Sequence, residues 1–228
     1  MNLHRFGSVA SAAADLAAQV AAALRAGLAS RPRASLALPG GRTPVPLFHA
    51  LRSTPLEWSR VTITLTDERW VPETSPASNA ALVRRELLAE HAAAATFITL
   101  YNDAGSAVAG AKAAWRAVQE LLPFDAVVLG MGADGHFASL FPGSPGLAQS
   151  LDVRGPPGLL AMRAPADPEE RVSLNLATLA ACRHLSLLVS GQDKLEVLER
   201  ASAGGDPALP VAALLRLERP APEVFWAP

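Results

Sequence analysis

With a single cysteine, Cys182, the chain has no intrachain disulfide to brace its 228 residues. Its fold must rest on buried apolar surface, and the thiol count fits a reducing compartment. Cys182 closes the apolar run Leu179-Ala180-Ala181-Cys182, the usual setting of a buried small hydrophobe. An excess of charge is missing too. Twenty Lys+Arg against 21 Asp+Glu leave a net charge of −1, which favours neither nucleic acid nor an anionic membrane as a partner. Half the residues are hydrophobic, the opposite of the balance that disorder requires. No stretch of 18 uncharged apolar residues occurs. The Ala-rich run Ala10 to Ala29 is interrupted by Asp15, Gln19 and Arg25 and reads as too polar to span a bilayer, while Met1 to Gly7 lacks a signal-peptide profile. The expectation is a soluble cytoplasmic protein. His4, His49, His91, His136 and His184 are scattered, with no H-E-x-x-H pattern, so no metal site is expected. Lysine is scarce beside arginine and alanine, which suggests a GC-rich coding sequence and nothing about function.

What is present is an alternation of elements. Ser8 to Ala29 reads as a helix, with Leu16, Val20, Leu24 and Leu28 recurring every four residues on alanine. Ala34 to Leu38 reads as a strand, Pro44 to Leu51 as a helix with proline in its first turn, and β-branched Val61 to Thr66 as a strand. Ser78 to His91 reads as a helix capped by Ser78 or Asn79, and Ala104 to Leu122 as another. Asp125 to Gly130 contains Ala-Val-Val-Leu and reads as a buried strand, Leu185 to Ser190 as a continuously apolar one, and Gln192 to Ala201 as a helix. Leu159 to Arg163 and Glu223 to Trp226 read as further short strands, and Pro142 to Pro157 and Gly204 to Pro210 as loops. Apolar strands alternating with helices indicate an α/β fold with a mostly parallel sheet covered on both faces. No internal repeat or long linker appears, so residues 1–228 are expected to form one domain. In such sheets ligands lie beyond the carboxyl ends of the strands.

The residues that follow the strands are therefore the informative ones. After Leu38 come Gly40, Gly41, Arg42 and Thr43 at the start of a helix. This suits close backbone approach to a phosphate, although an ordinary strand-to-helix turn would look the same. The segment matches neither the P-loop nor the dinucleotide fingerprint. After Thr66 come Asp67-Glu68-Arg69. Asp67 is a candidate base or sugar-hydroxyl acceptor and Arg69 a candidate anion ligand, and the bland alternative is a solvated turn with a local ion pair. After Leu129 comes Gly130-Met-Gly-Ala-Asp-Gly-His-Phe-Ala-Ser-Leu-Phe-Pro-Gly143, in which glycines such as Gly132 surround Asp134 and His136. His136 can exchange a proton near neutral pH, and Asp134 is placed to orient it. Arg171 and Lys194 each read alone as surface charges. Lys194 gains interest from standing in the first turn of a helix, where the dipole does not favour a cation and a nearby anion would. No G-x-S-x-G elbow is present, so a hydrolase built on these residues would activate water rather than form an acyl-enzyme.

Four segments in order resemble the 6-phosphogluconolactonase family: Pro39 to Pro44, Thr66 to Pro72 with Ser78-Asn79, Gly130 to Gly143, and Arg171-Val-Ser-Leu-Asn with Ser190-Gly-Gln-Asp-Lys194. The glucosamine-6-phosphate deaminases share the Asp-Gly-His loop, but their continuation after the histidine ends Asn-Glu-Pro-Gly, whereas here it is Ala-Ser-Leu-Phe-Pro-Gly. Arg42 departs from the Ser or Thr of many members, and the tail Phe225-Trp-Ala-Pro228 is short and lacks an acidic residue. The resemblance implies a Rossmann-like three-layer α/β/α sandwich acting in the pentose phosphate pathway. It also implies hydrolysis of 6-phospho-D-glucono-1,5-lactone without metal or cofactor. His136 would then be the base, with Asp134 and Asp67 in the catalytic group. Gly40, Gly41, Arg42, Thr43, Arg69, Gly132, Arg171 and Lys194 would bind the substrate and its phosphate. The expected partner is that small phosphorylated lactone, with no nucleic acid or membrane, for a monomer or small homo-oligomer. Two rivals remain: a deaminase-like isomerase using Asp67 to abstract a carbon-bound proton, and a non-enzymatic sugar-phosphate sensor.

Overall fold

The computed structural model describes residues 1–165, 169–204, 206 and 208–228. In chain order the elements are β1 (Asn2–Arg5), α1 (Val9–Ser30), β2 (Ala34–Leu38), α2 (Val45–Arg52), β3 (Val61–Leu65), β4 (Asp67–Arg69), α3 (Asn79–Glu86), β5 (Thr96–Phe97), α4 (Ala107–Val118) and β6 (Phe124–Gly130). They continue with α5 (Leu147–Ser150), β7 (Leu159–Arg163), β8 (Glu170–Leu174), α6 (Leu176–Ala180), β9 (Cys182–Ser190), α7 (Gln192–Ser202), α8 (Pro210–Leu215) and β10 (Glu223–Ala227). Seven strands form one all-parallel sheet in the order β1-β10-β9-β6-β2-β3-β5, flanked by helices, as the alternation required. Every residue of β2 and β3 is buried, which is why their sequences show no polar alternation.

Helix α1 begins where Ser8 accepts the backbone N–H of Ser11 while Ser11 answers to the Ser8 N–H, a reciprocal cap. It buries Leu16, Val20, Leu24 and Leu28 against the sheet. By length and composition α1 is apolar enough to cross a bilayer, contrary to the expectation that its polar interruptions excluded this. Its hydropathy comes from alanines all round, whereas its leucines form one stripe that the sheet covers. Leu16 is fully buried, so Leu16→Ala should cost about 2–5 kcal/mol, read as a lowered urea midpoint at unchanged slope. At the far end of the sheet from the strand carboxyl termini, the buried Asp125 accepts the Ser35 N–H (2.9 Å) and pairs with Arg31, joining α1, β2 and β6.

The structure adds a feature the sequence reading did not contain. Strands β4, β8 and β7 form a separate three-stranded antiparallel sheet. The Asp67-Glu68-Arg69 segment is thus a strand and no solvated turn, with Asp67 6% and Glu68 0% exposed. The expected loop at Pro142 to Pro157 contains α5, and that at Gly204 to Pro210 includes Gly205 and Pro207, which lie outside the described residues.

The chain runs outward from β2 through β3 to β5, then returns to β6 on the other side of β2 and continues to β9 and β10. The connections leaving β2 and β6 at their carboxyl ends therefore part in opposite directions. A crevice opens between them, the place where ligands bind in open α/β sheets.

Candidate active site

The crevice is a pocket of about 300 Å³ walled by the loops after β2 and β6, by β4 and β8 of the small sheet, and by the first turn of α7. Gly40, Gly41, Arg42, Thr43, Asp67, Arg69, Gly132, His136, Arg171 and Lys194, read from separate parts of the sequence, all line it. Asp134 lies behind His136, half exposed and outside the lining. Arg42 is exposed at the rim, whereas Arg69, Arg171 and Lys194 are half-buried.

The β6 loop is built around one pair. His136 Nδ1 lies 2.5 Å from Asp134 Oδ1, and the His136 backbone N–H donates to the same oxygen at 3.2 Å. Burial works against the Asp134 carboxylate, but the hydrogen bonds and charge of His136 outweigh it and hold that carboxyl below its ordinary range. An ionised carboxylate only accepts, so Nδ1 carries a proton, and in the neutral imidazole the lone pair is then on Nε2. Among the described residues Nε2 has no hydrogen-bond partner. The ring is held on one side by Phe141, centroids 4.3 Å apart. On another side it leaves no room for a Cβ at Gly132, which would lie 2.2 Å from Cε1. Two backbone N–H groups of this loop are already used: Gly132 donates to His136 O (2.9 Å) and Gly135 to Gly132 O (3.0 Å).

The next turn, Phe137 to Leu140, closes with a Leu140 N–H to Phe137 O bond of 3.0 Å. Ala138, which lines the pocket, takes a left-handed φ of 48° there, a conformation that costs a non-glycine residue energy and recurs at ligand sites. This turn delivers the Ser139 hydroxyl to Asp67 Oδ2 at 2.5 Å, and the Thr66 hydroxyl reaches Asp67 Oδ1 at 3.2 Å.

Arg69 and Arg171 face each other across the β4–β8 pair, and both line the pocket. Like charges directly opposite in an antiparallel pair repel, so an anion between them is favoured. Arg171 also stacks on Phe141 at 5.2 Å from the ring centroid, on the ring that His136 touches. Among the described residues, Arg42 and Lys194 bring the cationic side chains around the cavity to four, and Asp67 is the one carboxylate in its lining. Among the described residues no group of three or more His, Cys, Asp or Glu side chains is arranged to hold a metal.

Asn79, expected as a possible helix cap and as part of the second family-like segment but not as a site residue, also lines the pocket. Ser78 is the cap, accepting the Ala81 N–H, and Asn79 instead donates its amide to Asp67 O at 2.9 Å. Met131, Ala138 and Leu188 add apolar lining beside Pro39 and Pro44, and nothing in the residue types of those three marked them as pocket residues.

A sequence model of the family described as Glucosamine-6-phosphate isomerases/6-phosphogluconolactonase matches residues 7–226. The chain is 49% identical to a 6-phosphogluconolactonase of Pseudomonas aeruginosa, over 95% of this chain and 92% of that one. It is 42% identical to one of Rhizobium meliloti, over 100% and 99%. The crystal structure of a 6-phosphogluconolactonase from Shewanella baltica superposes with a TM-score of 0.93 at 35% identity, covering 100% of this chain and 98% of that one. Near-full coverage in both directions joins the pocket and the fold to one assignment: the chain belongs to the 6-phosphogluconolactonase family of lactone hydrolases, within the glucosamine-6-phosphate isomerase/6-phosphogluconolactonase superfamily.

Proposed function

We propose that the chain, acting as one domain in the cytoplasm, hydrolyses 6-phospho-D-glucono-1,5-lactone to 6-phospho-D-gluconate through water activated by His136. The observation that carries this reading is the bare Nε2 of an Asp134-held imidazole in a pocket ringed by Arg42, Arg69, Arg171 and Lys194. Nε2 takes a proton from water, and the oxygen attacks the lactone carbonyl. The oxyanion falls to an N–H of the 130–135 loop not already spent, or to a pocket cation. As the C–O bond breaks, the imidazolium returns the proton to the ring oxygen. The 6-phosphate lies against the Gly40 to Thr43 loop, Arg69, Arg171 and Lys194, and Asp67 accepts a sugar hydroxyl. No metal or organic cofactor enters these steps.

The test is turnover of freshly made lactone by purified protein, with the spontaneous opening rate subtracted. Arg171→Ala should raise KM at least about tenfold with kcat nearly kept, because a charge-assisted bond of about 1.5–3 kcal/mol is lost far from the reacting carbon. An unchanged KM would remove Arg171 from the phosphate site. Absence of turnover above background would overturn the reaction and direct the assay to glucosamine 6-phosphate.

A further inference from the structure

One carboxylate that does not line the pocket ties its wall together. Glu68 is fully buried between Asp67 and Arg69 on β4. It accepts the backbone N–H groups of Arg69 (2.8 Å), Asn79 (2.8 Å) and Ala80 (2.7 Å) and the hydroxyl of Ser78 (3.1 Å). Burial pushes its carboxyl above the usual range, and the N–H groups of Asn79, Ala80 and Arg69 draw it back. A charge kept this far from water is costly unless its donors are in place, so the four donors and the carboxylate fix one another.

Three consequences reach the pocket. The Arg69 backbone is held, and its Nη1 donates to Ala77 O at 2.5 Å, one residue before the Ser78 cap. The Asn79 backbone is held, and its side-chain amide is committed to Asp67 O. That commitment turns the Asn79 carbonyl oxygen toward Gly40, where a Cβ would lie only 1.8 Å from it, so the Gly40-Gly41 loop rests directly on Asn79.

We infer that Glu68 is a positioning residue for the phosphate side of the pocket: by clamping β4 to the first turn of α3 it sets Arg69 and, through Asn79, the Gly40-Gly41 loop. The inference rests on the proposed phosphate site and adds the residue that orders it.

Glu68→Gln keeps the shape but presents an NH₂ donor to groups that are themselves donors. It should raise KM for the phosphorylated lactone and Ki for inorganic phosphate, used as the probe of the phosphate site and expected to compete with the lactone, by about fivefold or more, with kcat within about twofold. Ser78→Ala removes one of the four donors and should move both constants the same way, by about twofold. Thermal unfolding is followed alongside. A lowered Tm with wild-type KM and Ki in Glu68→Gln would mean that Glu68 only stabilises the fold and would overturn the inference. If Glu68→Gln does not fold, Ser78→Ala decides, and wild-type constants there overturn it equally. Arg69→Ala separates the two claims. If it leaves Ki for phosphate unchanged, the phosphate site itself is wrong. If it raises Ki while Glu68→Gln does not, only the role of Glu68 fails.

Discussion

Replacing His136 with alanine should lower turnover of the phosphorylated lactone by about 10²–10⁴, the range carried by a positioned general base, while KM changes little. The expectation follows from how completely the imidazole is specified. Its tautomer is set by Asp134, its tilt by Phe141, and its remaining edge by Gly132. What is left is one ring nitrogen without a partner among the described residues, on a ring that lines the pocket. Asp134→Asn should cost less than His136→Ala, because the carboxamide can still touch Nδ1 but no longer requires the proton to sit there. The pH dependence has a definite sign. The folded Asp134 carboxyl is depressed below its ordinary value of 3.8, so its hold on His136 is complete above that value and is lost only as pH falls through the lower folded one. Loss of activity from a misoriented ring is therefore confined to pH below the ordinary Asp range. If His136→Ala keeps wild-type turnover, the base lies elsewhere, and Asp67 is examined next. That carboxylate already receives the Ser139 and Thr66 hydroxyls, which suits it better to holding a sugar hydroxyl.

The central sheet and the β6 loop were legible because the rules that govern them are local. Strand β2 was read residue for residue, since Ala34 to Leu38 is an apolar run bounded by Arg33 and Pro39. The loops after β2 and β6 were found because α/β sheets place ligands at strand carboxyl ends. The features that escaped depend on partners distant in sequence. Strand β1, Asn2 to Arg5, is mostly polar and pairs with β10 more than 200 residues later, so no local pattern announces it. Asp67-Glu68-Arg69 carries three charges and has no strand propensity, and it is a strand because β8 pairs with it. The burial of Glu68 is illegible for the same reason: a lone glutamate defaults to solvent, and the donors that keep it inside come from residues 78–80. Arg171 and Lys194 read alone as surface charges and were expected at the substrate through the family resemblance, because no local pattern places them there; the folded chain brings both to one cavity.

Gly132→Ala should reduce kcat by about 10² while leaving KM and phosphate inhibition within about twofold. The backbone at Gly132 is not left-handed, so the cost is space alone. A Cβ there would stand 2.2 Å from His136 Cε1, 2.3 Å from Nδ1 and 2.7 Å from Asp134 Oδ1. The backbone cannot retreat easily, because the Gly132 N–H is bonded to His136 O and its carbonyl to the Gly135 N–H. The ring must therefore move, and a displacement of about 1 Å at a reacting group is enough for a loss of this size. The phosphate side should not feel it. Gly40 to Thr43 belong to the β2 loop, and Arg69 and Arg171 to the small sheet, so their backbones are supported apart from the imidazole, and the twofold allowance covers the contact through Phe141, which both His136 and Arg171 touch. Overpacking should also cost about 1–3 kcal/mol of stability, measured separately by denaturant. Gly105→Ala, where a Cβ meets nothing within 4 Å, serves as the control and should behave as wild type. The split between kcat and KM is the deciding quantity. If both constants suffer together, the two halves of the pocket are coupled more tightly than their separate supports imply. Wild-type kcat in Gly132→Ala would mean that the position of the His136–Asp134 pair does not control the reaction, and the general-base assignment would fall with it.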